Sequence, residues 1–165
     1  MIEVFVGLGS NLGSPVNQIL QAFSEFKQIK HTHLVAVSSL YQTKPWGILD
    51  QADFINACVK LTTTLSAEDL FYEMLAMERA HGRIRKEKNG PRTLDCDLLI
   101  YGEQSIQTLL LSVPHPGMTT RGSVLVPLAE IAPNLMLKGQ PISYYLQQVD
   151  KDGIEKLIYE EMNYD

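Results

Sequence analysis

Two aspartates set two residues apart, Asp95 and Asp97, stand inside the apolar run Leu94-Asp-Cys-Asp-Leu-Leu-Ile-Tyr101. Side chains alternate faces along a strand, so both carboxylates project to one side, and Leu94, Cys96 and Leu98 project to the other. Two like charges side by side on an otherwise apolar strand repel each other and cost stability. Their most economical joint use is to hold a divalent cation or two. Cα atoms two residues apart on a strand are separated by about 6.6 Å, so the carboxylates can converge on one Mg2+ or straddle a pair about 4 Å apart. A random Asp-x-Asp is more often a solvated pair on a half-exposed strand. The apolar flanks, and Arg92 entering the strand from Gly90-Pro91, weigh against that here.

The segment just upstream is crowded with cations: Arg79, Arg83, Arg85, Lys86, Lys88 and Arg92. Alone it would read as a solvated basic loop. Beside a metal-binding strand, guanidinium forks suit phosphate oxygens bidentately, and the layout is that of phosphoryl transfer. His115, flanked by Pro114 and Pro116, sits in rigid extended chain and is either a surface histidine or a phosphate donor. Phe54 and Asn56 share one face of a strand that follows the loop around Trp46. They are either core aromatic and turn-side amide, or a platform and edge reader for a flat heterocycle. Gly7-x-Gly9-x-x-x-Gly13 approaches a dinucleotide fingerprint, but its third glycine comes one residue late and the elements after it do not alternate as that fold requires. A tight strand-to-helix turn, one that could line a site, is the better reading.

These residues need elements to position them. Residues 2–8 predict a strand, and Ser14-Pro15 opens a helix with an apolar stripe of Val16, Ile19, Leu20, Phe23 and Phe26. Strands follow over 33–42 and 53–64, separated by a loop at 44–51 too rich in Pro and Gly for regular structure. Ser66 with Asp69 three residues on predicts a helix N-terminus, and the helix carries Leu70, Met74, Met77 and Glu78 to an end near Gly82. A fourth strand spans 93–101, turns at Gly102-Glu103 and meets a short partner around 105–110. A helix covers 122–131, and the tail from Pro141 is a weaker amphipathic pattern. The order β-α-β-β-α-β predicts an α+β fold with a ferredoxin-like core, an antiparallel sheet with helices packed on its faces.

The chain has 165 residues, which predicts one domain over 1–165 with a substantial core. A net charge of −5 argues against a general nucleic-acid binder or a membrane-surface protein, and makes the local cluster at 79–92 more telling. Cys58 and Cys96 lie in apolar runs and read as buried free thiols. Without a signal pattern or a span of about 20 apolar residues, the expected location is the cytoplasm.

In order along nearly the whole length, the chain resembles the 6-hydroxymethyl-7,8-dihydropterin pyrophosphokinases of folate biosynthesis. The resemblance rests on Gly7-Leu-Gly-Ser-Asn-Leu-Gly13, Ser38-Ser-Leu-Tyr-Gln-Thr-Lys-Pro-Trp-Gly47, Asp50-Gln-Ala-Asp-Phe-Ile-Asn-Ala57, Gly82-Arg-Ile-Arg85, Gly90-Pro-Arg-Thr-Leu-Asp-Cys-Asp97, Val113-Pro-His115 and Val124-Leu-Val-Pro-Leu-Ala-Glu-Ile-Ala-Pro133. It implies transfer of a diphosphate from ATP to the pterin hydroxymethyl oxygen with release of AMP. It further implies that Asp95 and Asp97 hold two Mg2+ ions carried with ATP. Arg83 and Arg92 would be catalytic, Arg85, His115 and Arg121 would bind ATP, and Thr43, Phe54 and Asn56 would bind the pterin. The implied partners are these two small molecules, with no nucleic acid or membrane, and the implied state is a monomer. Three positions depart from the family pattern: Asn89 where Trp is common, Leu110 where a basic residue is common, and Ser123 where an aromatic is common. The expectation from these is weaker substrate binding. The rival readings are a metal-dependent nuclease-like module, which should be more basic, and an RNA-binding ferredoxin-like module, which would not need the two acids.

Overall fold

The computed structural model describes residues 1–45, 47–82 and 90–158. The expected loop residues at 83–89 and Trp46 fall outside them. The elements are β1 (Ile2–Ser10), α1 (Pro15–Phe26), β2 (Thr32–Val37), β3 (Tyr41–Thr43), β4 (Phe54–Thr63), α2 (Ala67–Ala80), β5 (Asp95–Tyr101), β6 (Ile106–Gln107), β7 (Ser112–Val113), α3 (Gly122–Ile131), β8 (Met136–Leu137), β9 (Gln140–Pro141), α4 (Ile142–Leu146) and β10 (Ile154–Lys156). The main sheet has the order β10-β3-β4-β1-β5, with β2 also paired to β4, and every pairing is antiparallel. This is an α+β fold: an antiparallel sheet covered by helices.

Period-two alternation sorts the strands' side chains into two layers. Val4, Val6 and Leu8 of β1, Ile55, Val59 and Leu61 of β4, and Cys96 and Leu98 of β5 join one buried cluster with the apolar faces of α1 and α2. Phe5, Cys58 and Leu99 face the other way, into a smaller cluster with Leu125 and Leu128 of α3 and Ile142 of α4. The second cluster does not reach the end of the sheet where β4 begins and β5 begins, and that end is left open.

Most expected elements appear where their local signals place them. Ser66 caps α2, its Oγ accepting the Asp69 N–H at 3.1 Å. Both cysteines are buried thiols outside any disulfide. Four features differ. Leu20, expected in the buried stripe of α1, is 40% exposed, and Ala22 is buried on that helix instead. The strand expected over 33–42 is two strands, because the backbone N–H and hydroxyl of Ser39 turn out of the sheet to the carboxylate of Glu130 on α3. The strand expected around 105–110 does not return to β5; β6 pairs with β7 in a separate hairpin. Finally, the tail beyond Pro141 contributes a sheet strand: β10 lies on the edge of β3. Among the described residues, no helix is long and apolar enough to cross a membrane.

Candidate active site

Sheet register assembles the site. Asp95 of β5 lies opposite Gly9 of β1, which lies opposite Asn56 of β4, which lies opposite Tyr41 of β3. One step along, Asp97 faces Gly7. Cross-strand partners share a face, so Asp95 looks across Gly9 to Asn56 and Asp97 looks across Gly7 to Cys58, with Phe54 two residues before Asn56 on the same face. The glycines make the space. A Cβ on Gly9 would lie 3.0 Å from the Asn56 side-chain oxygen and 3.7 Å from the Phe54 ring. The amide of Asn56 donates to the hydroxyl of Thr43, fixing its orientation. Thr43, Phe54, Asn56, Arg92, Asp95, Asp97 and Arg121 all line one pocket, joined by Gly9, Lys44, Ser123 and Val124.

The electrostatics suit a cation held by acids. Arg92 Nη1 lies 2.9 Å from Asp95 Oδ2, so this guanidinium meets the first carboxylate directly. Burial, followed by the negative charge of Asp95, pushes the Asp97 carboxyl well above the usual carboxylate range; Arg92 opposes this and the charge of Glu78 adds to it. A buried acid whose charge is disfavoured by a second acid is relieved by a divalent cation between them, so the donor set fits a hard, oxygen-preferring ion.

Arg92 is positioned through its backbone. Asn11, 5% exposed at the end of β1, accepts the Arg92 N–H on its side-chain oxygen at 2.9 Å, and its own N–H donates to the Arg92 carbonyl at 3.0 Å. The Asn11 amide also donates to the Ala52 carbonyl and to the Gln51 side chain. One buried asparagine thus ties the loop before β4 to the residue that faces Asp95.

A second cleft of about 250 Å3 opens along the outer edge of β5. Its walls include Met74, Leu98 and Leu111, with Glu78, Asp97, Ser112 and His115 as polar members. Glu78 accepts the outward-facing Cys96 N–H at 2.8 Å, so this buried acid caps the free edge of the sheet at β5. His115 is anchored by its own N–H to the Leu99 carbonyl, and its Nδ1 accepts the Gly117 N–H at 3.1 Å. That leaves Nε2 to carry the proton of the neutral ring. Burial, then the charge of Arg121, holds its pKa below the usual histidine value, with Asp95 opposing. Asp97 lines both cavities and is the hinge between them.

Of the residues singled out from the sequence, Thr43, Phe54, Asn56, Arg92, Asp95, Asp97 and Arg121 meet in the first pocket, and His115 lines the second. Arg83, Arg85 and Asn89 lie outside the described residues. Ser123 lines the first pocket and Leu110 the second. Sequence reasoning misses Asn11 and Ser112 as site members. It places Glu78 only as part of a helix stripe, although a lone acid among Leu70, Met74 and Met77 is a signal. Gly7 lies in the strand as expected and Gly9 belongs to it as well; of that motif only Gly13, at φ +76°, takes the turn conformation.

The model of the 7,8-dihydro-6-hydroxymethylpterin-pyrophosphokinase family matches residues 5–133. The Haemophilus influenzae 2-amino-4-hydroxy-6-hydroxymethyldihydropteridine pyrophosphokinase is 44% identical over 142 residues, covering 86% of this chain and 89% of its own. The Pseudomonas aeruginosa enzyme of the same name is 44% identical over 156 residues, covering 94% and 96%. Among solved structures, a Plasmodium falciparum HPPK-DHPS chain superposes with a TM-score of 0.71 at 14% identity, a likeness of fold. This chain is covered to 94% there and spans 47% of the Plasmodium chain. With a family model across most of its length and relatives this similar over nearly all of theirs, the chain belongs to the 7,8-dihydro-6-hydroxymethylpterin-pyrophosphokinase family.

Proposed function

We infer that the chain transfers a diphosphate group from ATP to the hydroxymethyl oxygen of 6-hydroxymethyl-7,8-dihydropterin, releasing AMP, as a step of folate biosynthesis. The observation that carries this reading is the pair of cavities sharing Asp97: one lined by Phe54, Asn56 and Thr43, the other by apolar walls and His115. Two substrates seated there bring a phosphate chain and an acceptor hydroxyl together at the two acids.

In this reading the pterin lies against Phe54, with its polar edge hydrogen-bonded by Asn56 and Thr43. The nucleotide base occupies the apolar cleft beside β5, and His115 and Arg121 hold its phosphates, joined by Arg85. Asp95 and Asp97 would hold two Mg2+ ions, which would neutralise phosphate charge and lower the cost of deprotonating the hydroxyl. Arg92, already at Asp95, follows the transferring group with Arg83, supplying positive charge as the negative charge moves to AMP. The sheet order β3-β4-β1-β5 supports a ferredoxin-like β-α-β-β-α-β core as the scaffold. The reading takes the chain as one domain acting on small molecules as a monomer.

The test is product analysis. Incubation with ATP, Mg2+ and 6-hydroxymethyl-7,8-dihydropterin should give AMP and the pterin diphosphate in equal amounts. ADP, or AMP formed equally without pterin, would overturn the assignment.

A further inference from the structure

The last described strand, β10, touches the pterin side of the pocket at two places. Through the sheet, Ile154 lies opposite Thr43, and Thr43 lies opposite Phe54, so the three side chains form one row on the site face. Across the gap, the row meets the start of α3. A Cβ built on Gly122 would lie 2.8 Å from Ile154 Cδ1 and 2.8 Å from the Asp150 carbonyl oxygen, closer than packed atoms approach. Gly122 is followed by Ser123 and Val124, which line the same pocket as Thr43. On its other flank, Gly153, at φ +78°, supports the stem of Lys44; a Cβ there would stand 2.9 Å from Lys44 Cδ and Cε. Lys44 lines the same pocket.

A second tie holds α3 to β3 farther along, at the residue opposite Lys156 of β10. The carboxylate of Glu130 on α3 accepts the Tyr41 hydroxyl at 2.6 Å and the Ser39 hydroxyl at 2.8 Å, and the charge of Lys156 on β10 acts on it. Burial raises the Glu130 carboxyl, but these hydrogen bonds and Lys156 outweigh it and hold it below its usual value. The C-terminal strand therefore packs on α3 at Gly122 and pairs with β3 along its length, and β3 is itself tied to α3 through Tyr41 and Glu130.

We propose that the segment from Asp150 to Lys156 is a strut that sets the width of the pterin pocket, with Ile154 and Gly122 as positioning residues for that substrate. Both stand behind the pocket walls, away from the cleft beside β5. The strut spaces the Thr43–Phe54 wall from the Ser123–Val124 wall, and the lack of a side chain at Gly122 sets the closest approach. This inference rests on the assignment of that pocket to the pterin.

The experiment is a steady-state comparison of the wild type, Gly122→Ala, Gly122→Ala with Ile154→Val, and Ile154→Ala, each with its Tm. Gly122→Ala should raise the KM for pterin by about fivefold with the KM for ATP held, and should lower the Tm, because the added Cβ also meets the Asp150 backbone carbonyl. Adding Ile154→Val removes Cδ1 and should recover part of that loss. Ile154→Ala adds no atom to the contact, so it stays informative if Gly122→Ala does not fold, and it should also raise the pterin KM selectively. A folded variant with an unchanged pterin KM would overturn the strut. So would a parallel rise in both KM values, which marks general destabilisation. A wild type without pterin-dependent AMP release would instead sink the functional reading, so the two failures are distinguishable.

Discussion

The two faces of the main sheet are made by the same strands and do opposite things. On the α1–α2 face, Val6, Leu8, Ala57, Val59, Cys96 and Leu98 close into one continuous core. On the α3–α4 face the same strands offer Gly7, Gly9, Asn56, Asp95 and Asp97 at one end, and Phe5, Cys58, Leu99 and Ile100 pack in a smaller cluster. Moving one residue along β5 passes from buried Cys96 to a carboxylate disfavoured as a charge. The lesson is a division of labour: one face carries the stability that lets the other keep two adjacent acids and two bare glycines, neither of which favours folding.

That contrast breaks most visibly at Arg92. Arg92→Ala should lower kcat by about a thousandfold while moving Tm little, since its ion pair with Asp95 is part-exposed. Steady-state rates and a melting curve on the same preparation check both halves. The mirror experiment is Leu61→Ala on the closed face. Leu61 is fully buried, so the loss should be about 3 kcal/mol by urea unfolding, with kcat of the folded fraction unchanged. A large effect of Leu61→Ala on kcat at full folding would break the proposed separation.

Smaller effects sharpen it. Asn11→Ala leaves the Arg92 N–H and the Ala52 carbonyl without their buried partner and should cost about 2 kcal/mol, with a fall in kcat because Arg92 loosens. His115→Ala should raise the KM for ATP by about tenfold and leave pterin affinity alone, by isothermal titration with each ligand. The smallest predicted effect is a pH trend. Asp97's folded pKa is raised, so between the unfolded value of about 4 and that higher value the native state binds more protons than the unfolded state. Stability in a chelator should therefore fall as pH rises through that window, and Asp97→Asn or added Mg2+ should flatten the trend. Melting temperatures at stepped pH read this directly.

Much of the site is legible in the sequence. Alternation puts Asp95 and Asp97 on one face, the Gly-Pro turn puts Arg92 beside them, and Ser66 marks the start of α2, because each signal acts within a few residues. What stays hidden depends on register between distant strands. Nothing in Gly7-Leu-Gly9 says that Gly9 lies between Asp95 and Asn56, so Gly9 reads as the start of a turn. Nothing local marks Ile154–Lys156 as a sheet strand, since so short a run carries no period and its partner β3 lies far back in the chain. Asn11 is hidden for the same reason, because its partners are Gln51, Ala52 and Arg92.

The most direct test of the whole account is the initial rate of pterin-dependent AMP release in saturating Mg2+, measured for wild type and Asp97→Asn. Asparagine keeps the shape at the junction of the two cavities and removes the charge. The account predicts a fall of about a thousandfold with Tm equal to or above that of the wild type in chelator. A rate within a few-fold of wild type would contradict it, because the acid shared by both cavities would then not be what joins the two substrates.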